Sequence, residues 1–224
     1  MGTTKKLRNI HIFTYCVIFY SVWSLVEFLL DPMLESILYG MHFEIVHSII
    51  KLLIWTVPAV WLIRRFKADL CLSLKEMLTN KINWTSFFSI LAGVAVYLIV
   101  GCYFRLGQIA IHPKFDPLSV ISVVIFVGIT EEFVFRGWLL NLMLKKMSEW
   151  SAVLISSILF TLIHFPIWII TGQFTSLMVV FSNCLTVTVL GIGFSWSFIK
   201  SKNIFVPIAI HMIWNLLTIM LYGS

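Results

Sequence analysis

Seven long apolar segments constrain this chain more than any other feature of its sequence. About 20 consecutive apolar residues cross the hydrocarbon layer of a bilayer as one α-helix. The chain is 60% hydrophobic and only 12% charged, whereas soluble domains carry about 25% charged residues. We therefore expect an all-α, polytopic transmembrane bundle of about seven spans. The segments lie at about residues 11–30, 44–63, 86–106, 118–144, 151–170, 175–198 and 204–222.

Nothing in the sequence divides these segments into separate units. There is no internal repeat, low-complexity tract or linker, so residues 1–224 are predicted to form a single integral-membrane domain. The basic N-terminus precedes a long aromatic segment without a small-residue cleavage site, which predicts a retained first span and not a signal peptide. Residues 68–82 have the composition of a short amphipathic helix on the membrane surface.

The positive charges predict an orientation. Cytoplasmic loops of membrane proteins carry an excess of lysine and arginine. Loops on the N-terminal side hold twelve such residues, and the opposite side holds only Arg105 and Lys114. We expect a cytoplasmic N-terminus and an external C-terminus, and we read the formal charge of +6 as an orientation signal, with no nucleic-acid partner. The twelve are Lys5, Lys6, Arg8, Arg64, Arg65, Lys67, Lys75, Lys81, Lys145, Lys146, Lys200 and Lys202.

The fourth segment carries ionisable residues at mid-depth, namely Glu131, Glu132 and Arg136. Charges at that depth are costly, so they face protein or water and commonly mark function. Glu132 and Arg136 are four residues apart with the acid first, the favourable order for an ion pair on a helix. Glu131 lies about 100° around the helix from Glu132. Glu131 is therefore free to act as a base. Desolvation in an apolar cavity would make its carboxylate a stronger base.

Two later segments add polar residues. His211 and Asn215 are four residues apart, so they project from one helix face and could donate hydrogen bonds to an oxyanion. His164 is followed by Pro166, which should kink the helix and open space beside the histidine.

These motifs resemble those of a known family. Glu-Glu-x-x-x-Arg at 131–136, Phe160-x-x-x-His164 and His211-x-x-x-Asn215 follow one another on successive segments. In this they resemble the CAAX-protease and bacteriocin-processing (CPBP, or Abi) family of intramembrane endopeptidases. The resemblance covers about residues 115–222, with core helices at 118–222.

The resemblance implies roles for the matching residues. Glu131 and His164 would activate a water molecule, and His211 and Asn215 would stabilise the oxyanion, with the Glu132–Arg136 pair in support. The implied partners are a membrane-bound peptide or protein substrate and the lipid bilayer, in a bacterial plasma membrane. A prenylated CAAX protein, a bacteriocin precursor and a peptide pheromone would all suit the cavity, and only the last two would suit a bacterium.

The part played by a metal stays open at this stage. Glu131, His164 and His211 would be the ligands of a divalent ion such as zinc. The chain lacks the His-Glu-x-x-His helix that supplies two zinc ligands and a base together. If Glu131 were a ligand, the site would need another base. We therefore favour a metal-free mechanism.

Other interpretations compete with the protease. The charged cluster could be purely structural, and the histidines could be interhelical hydrogen-bond partners. A catalytically idle immunity or scaffold protein could bind a peptide in the same cavity. A proton-coupled transporter is disfavoured because the seven segments do not divide into repeats.

Three further interpretations concern residues outside the motifs. Glu27 and Lys51 are assigned to an ion pair or to snorkelling at the membrane interface. Gly191 and Gly193 are predicted to lie at a helix contact. His47 receives no role.

Overall fold

The computed structural model describes the backbone of residues 2–223 and the side chains of residues 13–223. All regular secondary structure in these residues is helical, which confirms the all-α prediction. Six helices are long and apolar enough to cross a membrane, and they are numbered here as spans in chain order. Spans 1 to 6 are Phe13–Glu35, Met41–Arg65, Trp84–Leu106, Glu149–Ile170, Leu177–Ser201 and Phe205–Tyr222.

Three of the spans are interrupted. Span 1 belongs to a helix that runs from Gly2–Leu25 through a π-helical stretch, Val26–Leu30, into Asp31–Glu35. Span 2 has the same plan, with Met41–Lys51, the π-helical Leu52–Thr56 and Val57–Arg65. Span 4 breaks between Glu149–Leu162 and Phe165–Ile170. The break falls at Ile163 and His164, as the proline at position 166 predicts.

The fourth predicted segment forms the central helix, residues 120–144. It alternates between π-helical and α-helical geometry in Val120–Phe126, Val127–Glu132, Phe133–Leu140 and Asn141–Leu144. Spans 2, 4, 5 and 6 all pack against it, and nearly every residue from 130 to 143 is buried. The seven expected spans are thus six apolar helices and one central helix whose three mid-depth charges set it apart from them.

Two glycines allow close helix contacts around the central helix. A Cβ atom at Gly128 would lie 2.8 Å from Met212 on span 6, and one at Gly191 would lie 3.0 Å from Ser157 on span 4. The prediction for Gly191 is confirmed. That for Gly193 is wrong, because a Cβ atom there would have no neighbour within 4 Å.

The predicted surface helix at residues 68–82 is shorter than expected. The structure has a single 3₁₀ turn at Lys67–Asp69 and an α-helix at Leu74–Thr79. The helix begins late because Ser73 and Glu76 form a capping box at its N-terminus. Its Met77 side chain is fully buried in the hydrophobic core, so one face of the helix packs on the protein. Its position on the membrane surface stays a prediction.

Candidate active site

Glu132 and Arg136 form the ion pair that their spacing predicts. Arg136 Nη1 donates to Glu132 Oε1 at 2.9 Å, and both side chains are fully buried. Arg136 Nη2 donates to the Gly191 carbonyl at 3.1 Å. The guanidinium lies 4.5 Å from the centre of the Phe160 ring and 5.2 Å from that of Phe194. This arrangement anchors the central helix to spans 4 and 5.

Glu132 also binds His211, a contact that sequence reasoning missed. His211 Nδ1 lies 2.8 Å from Glu132 Oε1, and the ring of His211 stacks on Phe194. Since an ionised carboxylate can only accept, Nδ1 carries the proton in this contact. His211 Nε2 faces Glu131, at 3.9 Å from Oε2. Donation from Nε2 to an oxyanion therefore requires a second proton on the ring.

Glu131 has its own cation, and this corrects the interpretation of Lys51. Lys51 Nζ donates to Glu131 Oε1 at 2.9 Å, and both side chains are buried. The ammonium also lies 4.6 Å from the ring of Trp55 and 5.3 Å from that of Trp23. Lys51 thus neither pairs with Glu27 by a hydrogen bond nor snorkels to the interface. Among the described residues, Glu131 Oε2 has no hydrogen-bond partner.

A sequence signal for Lys51 existed. A lysine inside an apolar segment needs a partner and is a functional candidate by default. The sequence could not name that partner, because Lys51 and Glu131 are 80 residues apart and on different helices. Only the packing of span 2 on the central helix brings them together.

His164 lies at the break in span 4. Its Nδ1 atom is 2.8 Å from the Phe160 carbonyl, which can only accept, so Nδ1 is the protonated nitrogen. Nε2 of the neutral ring then keeps a lone pair. The aromatic rings of Phe160 and Trp168 pack on either side of the imidazole. This environment fixes both the tautomer and the direction of the histidine.

One cavity of about 470 Å³ brings the four predicted catalytic residues together. Glu131, His164, His211 and Asn215 all line it. Asn215 Nδ2 donates one hydrogen bond to the Val123 carbonyl at 2.9 Å and keeps a second hydrogen. Glu132 and Arg136 are not among the lining residues, so their position agrees with a supporting function.

The outer part of the cavity is acidic, which sequence reasoning did not anticipate. Glu27, Asp31 and Glu35 of span 1 line it at intervals of four residues. His47 of span 2 lines the same part, and its Nδ1 atom lies 3.1 Å from Asp31 Oδ1. The cavity thus extends from Glu131 to the exposed end of span 1.

Comparison with protein families bears on this arrangement. Residues 113–217 match the family described as Type II CAAX prenyl endopeptidase Rce1-like. This segment is similar to that family over its whole length. The match confirms the resemblance drawn from the motifs, and it includes all four predicted catalytic residues while leaving Lys51 outside. Together with the six apolar helices of the described residues, the match indicates an integral-membrane protein with a segment similar to a protease family. No curated protein matches the chain.

The side chains of this site do not fit a metal ion as they are arranged. No group of three or more His, Cys, Asp or Glu side chains within residues 13–223 is placed to hold one. Within the described residues, Glu131 keeps Oε2 free and both His164 and His211 keep Nε2 free, so the ligand set is incomplete because of the spacing of these side chains and not because of their hydrogen bonds. Zinc sites need at least three protein ligands converging on one point.

Proposed function

We propose that this protein is an intramembrane endopeptidase that hydrolyses a membrane-associated peptide or protein without a tightly held metal. The observation that carries the proposal is the buried, unpartnered Oε2 atom of Glu131, which lies in one cavity with His164, His211 and Asn215. A buried polar atom without a partner is costly and rare. Its retention in the cavity is explained if a water molecule or a substrate group completes the site.

The chemistry follows from the free atoms of these side chains. A water molecule held by Glu131 Oε2 and His164 Nε2 attacks the carbonyl carbon of the scissile bond and gives one proton to Glu131. The oxyanion that forms accepts hydrogen bonds from Asn215 Nδ2 and from a doubly protonated His211. When the C–N bond breaks, the proton passes from Glu131 to the leaving nitrogen. The second proton of the water stays on the new carboxyl group, so the products are one carboxylic acid and one amine.

Three charged residues would act as positioning residues and would not touch the substrate. Lys51 holds Glu131 through Oε1, which leaves Oε2 for water. Glu132 holds His211 through Nδ1, which aims Nε2 into the cavity, and Arg136 fixes Glu132. A side chain whose rotamer is locked by such contacts delivers its reacting atom more precisely.

The test is hydrolysis by the purified protein in detergent micelles. The probe is a mixed library of internally quenched apolar peptides, with cleavage sites read by mass spectrometry. Glu131→Gln should reduce the rate at least 100-fold, the usual scale for loss of a general base. Glu149→Gln removes an equal charge from an exposed site outside the cavity and is the matched control. Thermal unfolding checks that both variants are folded.

The competing immunity or scaffold function predicts a different result. A protein that only binds a peptide would release no product above that of the Glu131→Gln variant. It would also keep its protective or binding effect in cells when Glu131 is replaced. Either finding would contradict the endopeptidase proposal.

The proposal includes the setting of the enzyme. Because the basic loops lie at the opposite ends of the helices from Glu35 and His47, a cytoplasmic N-terminus would make the cavity open on the external side. We place the protein in a bacterial plasma membrane because its motifs resemble those of a family with bacteriocin-processing members.

A further inference from the structure

We propose that the acidic outer part of the cavity is a subsite for a basic residue of the peptide substrate, with Glu27 as its main recognition group. This inference rests on the endopeptidase function proposed above, and it adds the chemical class of the substrate. We use "cationic subsite" for the part of the cavity lined by Glu27, Asp31 and Glu35 of span 1 and by Trp23 and Phe43.

The cavity has an excess of negative charge. Its lining contains four carboxylates, those of Glu27, Asp31, Glu35 and Glu131, and a single ammonium, that of Lys51. With neutral histidines the excess is therefore three negative charges, and with the doubly protonated His211 of the proposed mechanism it is two. Lys51 is bound to Glu131, so it is not free to neutralise the outer carboxylates by direct contact. An uncompensated cavity with apolar walls attracts cations strongly, because the low-dielectric surroundings screen charge poorly.

Glu27 is the most unusual of these carboxylates. Its side chain lines the cavity but is only 7% exposed, and within residues 13–223 no hydrogen bond reaches it. Asp31 has His47 as a partner, and Glu35 is exposed to solvent. Burying a charge without a partner is costly unless something supplies the missing charge. The cost is explained if a ligand cation completes the contact.

The walls indicate what kind of cation fits. A divalent metal ion is a poor candidate, since the described side chains do not bring three ligand groups together. Trp23 and Phe43 instead offer aromatic surface beside the carboxylates. Lysine and arginine pack an apolar stem along such surface and place the charged end beyond it. Because Glu131 lines the same cavity, the basic residue would lie at one fixed position relative to the scissile bond.

The experiment measures binding separately from hydrolysis. The probes are acetyl-Leu-Leu-Lys-Leu-Leu-amide and the same peptide with norleucine in place of lysine, titrated against the purified protein in detergent. The wild-type protein should bind the lysine peptide at least about tenfold more tightly, the scale expected for a charge-assisted hydrogen bond. Glu27→Gln should reduce this ratio to near one.

Two further variants control for charge and folding. Glu44→Gln removes a charge from the first turn of span 2, outside the cavity lining. This variant should keep the tenfold preference for the lysine peptide. Glu27→Gln should unfold at the same temperature as the wild type or higher, because it removes an unpartnered buried charge. If it nevertheless misfolds, Glu35→Gln, at the exposed end, should still lower the ratio about twofold to threefold.

The outcomes separate the subsite from the endopeptidase. Equal binding of the two peptides by the wild type, or an equal ratio in the Glu27→Gln and Glu44→Gln variants, would overturn the cationic subsite. Failure of the peptide library to be cleaved, with the tenfold ratio intact, would overturn the endopeptidase and leave the subsite standing. If both hold, cleaved library members will carry lysine or arginine at one position, and Glu27→Gln will abolish that preference.

Discussion

Replacement of Lys51 by methionine tests whether the central ion pair exists and what it contributes. Methionine has a side chain of similar length without the charge, so the packing against Trp23 and Trp55 is largely kept. The buried Glu131 carboxylate then loses its cation and the one hydrogen-bond donor that residues 13–223 give it. Breaking a buried pair by removing one partner costs about 3–5 kcal/mol. Since Glu131 lines a cavity and is not enclosed on all sides by protein, we expect a cost at the low end, about 3 kcal/mol.

The partner variant and the double variant complete the test. Glu131→Gln should cost about 2–3 kcal/mol, because Lys51 keeps a hydrogen bond to the amide oxygen but loses its counter-charge. The double variant leaves neither charge behind, so it should lie within about 1 kcal/mol of the wild type. A mutant cycle should therefore give a coupling energy of at least about 2 kcal/mol.

Reversible unfolding in mixed micelles, followed by tryptophan fluorescence, provides the measurement. Two of the nine tryptophans contact Lys51 directly and should report the change. Lys114→Met at an exposed site is the control and should change the unfolding free energy by less than about 0.5 kcal/mol. Additive effects of Lys51→Met and Glu131→Gln, to within about 0.5 kcal/mol, would refute the ion pair.

Four further results are expected. Glu132→Gln should destabilise the fold by about 3 kcal/mol in the same unfolding assay, because Arg136 would be buried without its counter-charge; an unfolding midpoint equal to that of the wild type would contradict this. Gly191→Ala should cost about 1–3 kcal/mol, since the new methyl group would lie 3.0 Å from span 4, and a neutral effect would mean that the helices are further apart. A reporter fused after Ser224 should be external and one in the loop at 67–81 cytoplasmic, so a cytoplasmic C-terminus would disprove the orientation. Elemental analysis should find far less than one zinc per chain, and chelators should leave peptide cleavage unchanged; one zinc per chain, lost together with activity in His164→Ala, would overturn the metal-free mechanism.

The sequence predicted the parts of the site that depend on one helix. The Glu132–Arg136 pair follows from spacing along a helix, and the break at His164 follows from proline chemistry. Both are local effects, so the neighbouring residues determine them. The same is true of the all-α architecture, which the apolar segments require. The catalytic roles of Glu131, His164, His211 and Asn215 stay predictions until hydrolysis is measured.

The contacts that the sequence did not predict all join different helices. Lys51 reaches Glu131 across 80 residues, and His211 reaches Glu132 across 79. Periodicity tells which face of a helix is polar but not which helix it meets. The sequence predicted about seven spans, and the structure has, among the residues it describes, six strongly apolar helices and the central helix. The central helix differs from the six because it carries three charged residues at mid-depth. Packing among the helices resolves both questions.

Glu131 and Glu132 are paired with cations from different parts of the chain. This difference determines which residues a functional site needs. Glu132 obtains Arg136 from its own helix, inside the segment that matches the Rce1-like family. Glu131 obtains Lys51 from span 2, outside that segment. Residues 113–217 are therefore not a transplantable module. A chimaera that joined them to the N-terminal half of another protein would contain every motif residue, but Glu131 would lack the counter-ion that Lys51 provides.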